Sequence, residues 1–226
     1  MFLTFEGAEA APQLIAAEYL EPTTRYDHGV LGDAVEWGAL RLRLSEDGTR
    51  RDVVIRLPHT RVFEDVSPRL VDLGGSMAAM VVESDLSRGA RLALYTGEGL
   101  LAAAPFIGRR NRWLAPVGAG DLDGDGRIEL AYIDRPHLAK TLRIWRYVPG
   151  DAALRAVAER PGLTNHRIGW DYIEGGLRDC GQGPEMITAD ADWRRLMASR
   201  LSGGKVETRA IGPYGAVALR AAMDCR

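Results

Sequence analysis

Trp113-Leu114-Ala115-Pro116-Val117-Gly118-Ala119-Gly120-Asp121-Leu122-Asp123-Gly124-Asp125-Gly126-Arg127-Ile128-Glu129-Leu130-Ala131 is the stretch on which the fold turns. An apolar segment enters a loop with carboxylates at alternate positions, and a second apolar segment leaves it. Gly124 and Gly126 permit positive φ where the chain doubles back. Hard oxygen donors that converge on one point suit Ca²⁺, which takes about six or seven of them. The expected ligands are the side chains of Asp121, Asp123, Asp125 and Glu129 and the main-chain carbonyl of Arg127. An EF-hand is excluded, because its loop ends in a bidentate Glu at position twelve and Tyr132 stands there. The flanks also disagree: Pro116 and Gly118 to Gly120 precede the loop, and a strand-like run follows it.

Working outward, short apolar runs alternate with Gly, Pro, Asp and Asn. Val35 to Leu44 ends in strict alternation, Asp47-Gly48 follows as a hairpin turn, and Asp52 to Leu57 returns. Ala79–Glu83, Arg91–Tyr95, Leu130–Ile133, Leu142–Tyr147 and Val206–Ile211 read as further strands. Trp193, Leu196, Met197 and Leu201 have helical spacing with Gly203 as a cap, and Gln13 to Leu20 is ambiguous. A unit recurs. Phe63 to Gly75 followed by Met80-Val81-Val82 matches Trp113 to Gly124 followed by Glu129-Leu130-Ala131, with Asp72 and Asp121 49 residues apart. A weaker copy places Asp179-Cys180-Gly181 before Glu185-Met186-Ile187, and Glu129 to Glu185 is 56 residues. Repeats of roughly 40 to 56 residues with about four strands each predict an all-β domain, a small β-propeller of four to five blades. The expected units are 22–60, 61–110, 111–163 and 164–212, with 213–226 as a closing strand that joins Ala216–Met223 to Leu14–Leu20.

The Asp-x-Asp-Gly-Asp-Gly-x-x-Glu-Leu loop, set between strands in a repeat of this size, resembles the FG-GAP/VCBS repeat family. It is similar to the calcium loops of integrin α-subunit propellers, where the loop joins the first two strands of a blade. The resemblance covers about residues 61 to 201. It implies a protein that works outside the cytoplasm and binds or scaffolds more often than it catalyses. The other copies depart from the motif. Asp72-Leu73-Gly74-Gly75-Ser76-Met77 keeps only the first acid, with Met80 counted at the Glu129 position, and the Asp179 copy lacks the intervening carboxylates. One calcium is therefore expected.

With 226 residues and 46% hydrophobic content the chain can bury about 70% of its unfolded surface, so it needs no metal merely to form a core. The net charge of −2 argues against nucleic acid as a partner, since duplex binding needs a basic face. No apolar run approaches the length of a membrane helix. Residues 1–12 read as the remnant of a signal peptide, because Ala8-Glu9-Ala10 fits a small-x-small cleavage site. Cys180 and Cys225 allow one pairing, whose 45-residue loop is worth about 4 kcal/mol in the chain-entropy model. The alternative is a cytoplasmic protein with two free thiols.

Asn165-His166-Arg167-Ile168-Gly169-Trp170-Asp171-Tyr172 could line one end of a propeller channel with Asn111-Arg112-Trp113 and Asp134-Arg135-Pro136-His137. His166, Trp170, Asp171 and His137 are the candidate ligand contacts, suited to a sugar or a peptide. Loop packing, with Trp buried and charges in water, is the alternative for the same residues. No catalytic residue is assigned. Gly74-Gly75-Ser76-Met77-Ala78 lacks the final Gly and the strand-to-helix turn of a nucleophile elbow, and the four histidines are too dispersed for zinc. The expected function is a calcium-stabilised, exported binding or scaffold module with a protein or carbohydrate partner. The alternative is a propeller lyase or hydrolase acting on an extracellular polymer.

Overall fold

Asp47 and Gly48, with φ of 48° and 79°, reverse the chain between β2 (Glu36–Glu46) and β3 (Thr49–Arg56). Both central residues carry the positive φ that a two-residue hairpin with the correct twist demands. The computed structural model describes residues 12–226, so the signal-peptide reading around Ala8-Glu9-Ala10 lies outside the described residues. The described chain is all-β apart from one short helix. β1 (Gln13–Thr23), the ambiguous segment, is a strand that pairs with β2, so unit 1 is a three-stranded meander.

Units 2 to 4 repeat one plan: a first strand, split in two in units 2 and 4 and bulged in unit 3, then three more in antiparallel order. In unit 2, β4 (Arg61–Phe63) and β5 (Arg69–Asp72) both pair with β6 (Met77–Asp85), followed by β7 (Gly89–Thr96) and β8 (Gly99–Ala103). Unit 3 is β9 (Leu114–Gly120), β10 (Glu129–Asp134), β11 (Thr141–Arg146) and β12 (Arg155–Pro161). In unit 4, β13 (Leu163–Thr164) and β14 (Gly176–Asp179) flank β15 (Pro184–Asp190), followed by β16 (Arg195–Ser202) and β17 (Lys205–Pro213). A single backbone pair, Trp37 with Phe63, joins units 1 and 2 into one sheet.

The side-chain period of two sends alternate residues of one strand into different cores. On β6, Ala79 and Val81 pack toward unit 1 with Leu40 and Leu42, while Ala78, Met80 and Val82 pack toward unit 3 with Leu114 and Leu130. On β10, Leu130 and Tyr132 face unit 2, while Ala131 and Ile133 face unit 4 with Met186 and Leu201. Units 2 and 3 are thus covered on both faces, which explains why their central strands read as continuous apolar runs.

Two expectations need correction. Trp193 to Leu201 is not helical: Trp193 sits in a turn and β16 follows. Met197 and Leu201 point into the unit 3–4 core, and Leu196 points to the opposite face, where it shares a cleft with Ala218 and Ala221. A strand covered on both faces imitates helical spacing. Gly203 is half of the β16–β17 turn rather than a cap, with φ of 54° beside Gly204 at 73°.

The closing strand 213–226 is also corrected. β17 ends at Pro213 and α1 (Ala216–Met223) follows, a helix rich in alanine, the best helix former. It lies against unit 4, the Arg178 guanidinium donates to the Ala222 carbonyl, and Cys180 and Cys225 are disulfide-bonded with Cα atoms 5.5 Å apart. Among the described residues Leu14–Leu20 pairs only with β2, so no strand pairing closes a ring. The outer face of unit 1 carries a ladder of charges, Arg41 with Glu18 and Arg43 with Asp52. No helix of the described residues is long and apolar enough to cross a membrane.

Candidate functional site

The acidic loop joins β9 to β10, with Gly120 opposite Glu129 in the ladder. Asp121 builds it: its carboxylate accepts from the N–H groups of Gly124, Asp125 and Gly126 at 2.8, 3.0 and 2.9 Å. Leu122 is buried in the unit 3–4 core and anchors the loop from below. Glu129 is fully buried, accepts from the Leu122 N–H at 3.1 Å and takes the Arg146 Nε–H at 2.5 Å. Burial raises the Glu129 carboxyl above its ordinary range, against the opposing pull of Arg146.

Carboxylate oxygens of Asp121, Asp123 and Glu129 lie within 4.8 Å of one another, so these three could hold a metal ion. Asp123 Oδ1 is shielded from solvent and has no hydrogen-bond partner among the described residues. Asp125 belongs to the expected set but turns to Arg127 at 3.2 Å and Arg146 at 3.1 Å. Arg146 touches Asp123, Asp125 and Glu129 together. Four carboxylates thus face two guanidinium groups, which leaves the loop with an excess of negative charge.

Register gives the equivalent positions in the sister units. Val71 pairs with Ala78, Gly120 with Glu129, and Arg178 with Glu185, so Asp72, Asp121 and Asp179 correspond. All three aspartates cap their own loops: Asp72 accepts from Gly74 and Gly75, and Asp179 from Gly181 and Gly183. Ala78, not Met80, stands where Glu129 does, because the unit 2 loop is shorter than a residue count assumes. In unit 4, Glu185 is enclosed by Arg178, Arg200 and Arg209. Burial pushes its carboxyl up, but the three arginines prevail and bring it down to about 2. Unit 4 gives its buried carboxylate three arginines, whereas unit 3 gives its own one, Arg146, shared with Asp123 and Asp125.

At the other end of β9, roughly 20 Å away at about 3.3 Å per residue, lies a cavity of about 250 Å³. His28, Arg112, Trp113, His137 and Ile168 line it, so it gathers the β1–β2 loop, the end of the β8–β9 connection, the β10–β11 loop and the β13–β14 loop. Trp113 is 2% exposed and its indole N–H donates to the Glu64 carbonyl at 2.8 Å. His28 Nδ1 lies 2.6 Å from Glu64 Oε1, and Ser84 Oγ donates to the other oxygen of that fully buried carboxyl.

Of the expected ligand contacts, His137 lines the cavity. His166 lies behind it, fully buried, and its Nε2–H donates to the Trp170 carbonyl at 2.9 Å. Its Nδ1 therefore accepts from His137 Nε2–H, also at 2.9 Å. Burial, and for His137 the neighbouring His166, lowers both imidazoles, His137 to about 4. Trp170 stacks on Tyr172 at 4.6 Å, outside the cavity, and Asp171 is exposed. His28, Glu64 and Arg146 were missed, whereas Arg112 lies in the Asn111-Arg112-Trp113 segment that the sequence set beside Asp134–His137. A legible signal existed for Arg146, since Glu129 to Arg146 and Glu185 to Arg200 are the same cross-strand pair in successive units. No protein-family model and no curated protein matches the chain, which leaves residue chemistry as the ground for a functional reading.

Proposed function

We propose that this chain is a calcium-stabilised, exported binding module whose four units are propeller-type blades related to FG-GAP/VCBS repeats. The observation that carries the reading is the cluster of Asp121, Asp123 and Glu129, with a shielded Asp123 oxygen that lacks a donor. A buried acceptor without a partner is costly, and a hard cation is what a set of carboxylate oxygens suits. Asp121, Asp123 and Glu129 would hold the ion, which would supply the positive charge that three arginines supply in unit 4. The repeated four-strand plan, with each sheet packed on the next and loops of several units meeting at one cavity, favours blades over a sandwich. Among the described residues no strand pairing joins unit 1 to unit 4, but their loops meet where the Gly169 N–H donates to the Val30 carbonyl. The Cys180–Cys225 bond favours an oxidising compartment.

Melting curves with and without calcium test this. At 10 mM calcium and a Kd of about 10⁻⁴ M the ion contributes about 2.7 kcal/mol, which raises Tm by roughly 5–10 °C in a chain of this size. Asp123→Ala should abolish that gain, and a gain of equal size in the variant would refute the site. A second reading, a propeller lyase or hydrolase on an extracellular polymer, is favoured only by His28 held against the buried Glu64 carboxyl at the cavity. Depolymerisation that disappears in His28→Ala would support it.

A further inference from the structure

We propose that the cavity at the entry to β9 binds a small hydroxylated carboxylic acid of the size of one acidic sugar. Arg112 carries the carboxylate. Among the described residues no acid pairs with it, and its one recorded bond is from Nη1 to the Asn111 carbonyl at 2.8 Å. Its neighbours differ: Arg110 is paired with Asp27, and Arg135 with Asp134. An uncompensated guanidinium in a recess offers the forked donors that match a carboxylate.

Arg135 is committed to Asp134, and the polar atoms that remain include acceptors, which call for hydroxyl donors on the same ligand. Asn111 Oδ1 is shielded and has no partner among the described residues. His28 is held through Nδ1 by Glu64, which leaves Nε2 for a ligand. His137 donates through Nε2 to His166, so in the neutral ring Nδ1 keeps its lone pair. Ile168, 72% exposed, supplies an apolar rim.

The walls are fixed before any ligand arrives. At Gly89, with φ of +73°, a Cβ would lie 2.2 Å from the Arg109 carbonyl oxygen and 2.8 Å from that of Arg112, so only glycine lets the β6–β7 turn seat this loop. The volume is below the 300–1,000 Å³ or so of drug-sized sites, which limits the occupant to about one ring. This assignment deepens the binding-module reading and rests on it, but not on the acidic loop at the far end of β9.

The test is a ¹⁵N chemical-shift titration of the whole chain with D-glucuronate, and with D-glucose and inorganic phosphate as comparators. D-Glucuronate should saturate and shift the amides of 111–113 and 137–138. Loss of one charge-assisted contact should weaken it about tenfold or more, both in Arg112→Met and when D-glucose replaces it. His28→Leu, which removes a polar group on a different loop, should weaken it as well. Three results each overturn the proposal: no saturable binding, undiminished binding to Arg112→Met, or phosphate binding as tightly as D-glucuronate. If calcium stabilises the protein through Asp123 but D-glucuronate does not bind, this assignment alone fails. If D-glucuronate binds but calcium has no effect on melting, the calcium reading alone fails.

Discussion

Arg146 is the internal cation of the acidic loop, and its removal has a calculable cost. It contacts Asp123, Asp125 and the fully buried Glu129, while its own side chain is only 16% exposed. Arg146→Met keeps the apolar stem and removes the charge. Breaking a buried ion pair by deleting one partner costs about 3–5 kcal/mol, because the other charge is left uncompensated. Glu129, already raised by burial, can take up a proton and recover part of this, so the lower end, about 3 kcal/mol, applies. A chain of this size loses roughly 2–4 °C of Tm per kcal/mol, which predicts a fall of about 6–12 °C in EGTA by scanning calorimetry. Calcium should then stabilise Arg146→Met more than it stabilises wild type, since no fixed guanidinium competes for the same oxygens. Arg127→Met is the control. Arg127 is 63% exposed and meets only Asp125, so its loss should change stability by no more than about 0.5 kcal/mol. Arg146→Met melting with wild type in EGTA, or showing no larger calcium gain, would refute the account.

Two further predictions follow from the ends of the molecule and from its buried acids. Cys225→Ser opens a 45-residue loop and should cost about 4 kcal/mol, lowering the urea midpoint of the oxidised protein to that of the reduced one; an unchanged midpoint would show that α1 needs no tether. Glu36 is pushed up to about 9 by burial, and next by Glu64, so the folded state holds a proton that the unfolded chain has released above about 4.5. Stability should therefore fall as pH rises from about 4.5 toward 9, and Glu36→Gln should flatten that limb in urea titrations at several pH values; identical limbs in the two proteins would exclude the effect.

Much of the β structure was legible because it depends on local signals. The Asp47-Gly48 turn and the alternation along Leu40–Leu44 are short-range facts, and they return as a hairpin with both turn residues at positive φ. The acidic loop was legible as a motif, and three of its expected ligands do converge. Asp125 lies outside that trio, because alternate spacing says which side chains can converge, not which arginine will pair with one. Met80 was misplaced for a related reason: counting from Asp72 assumes equal loops, whereas pairing in the ladder puts Ala78 opposite Val71.

By itself the sequence determined the Asp47-Gly48 hairpin and most of the central strands, and it allowed one cysteine pairing without deciding that the bond forms, since each of these depends on residues close together in the chain or on a single possible partner. Tertiary structure alone decided that Ala216–Met223 is a helix laid on unit 4, that Trp193–Leu201 enters a strand, and that His28 meets Glu64 and His137 stands before His166. The reason is that strand and helix spacing look alike once both faces of an element are buried, and that which faces are buried, and which loops meet, depends on how successive sheets stack.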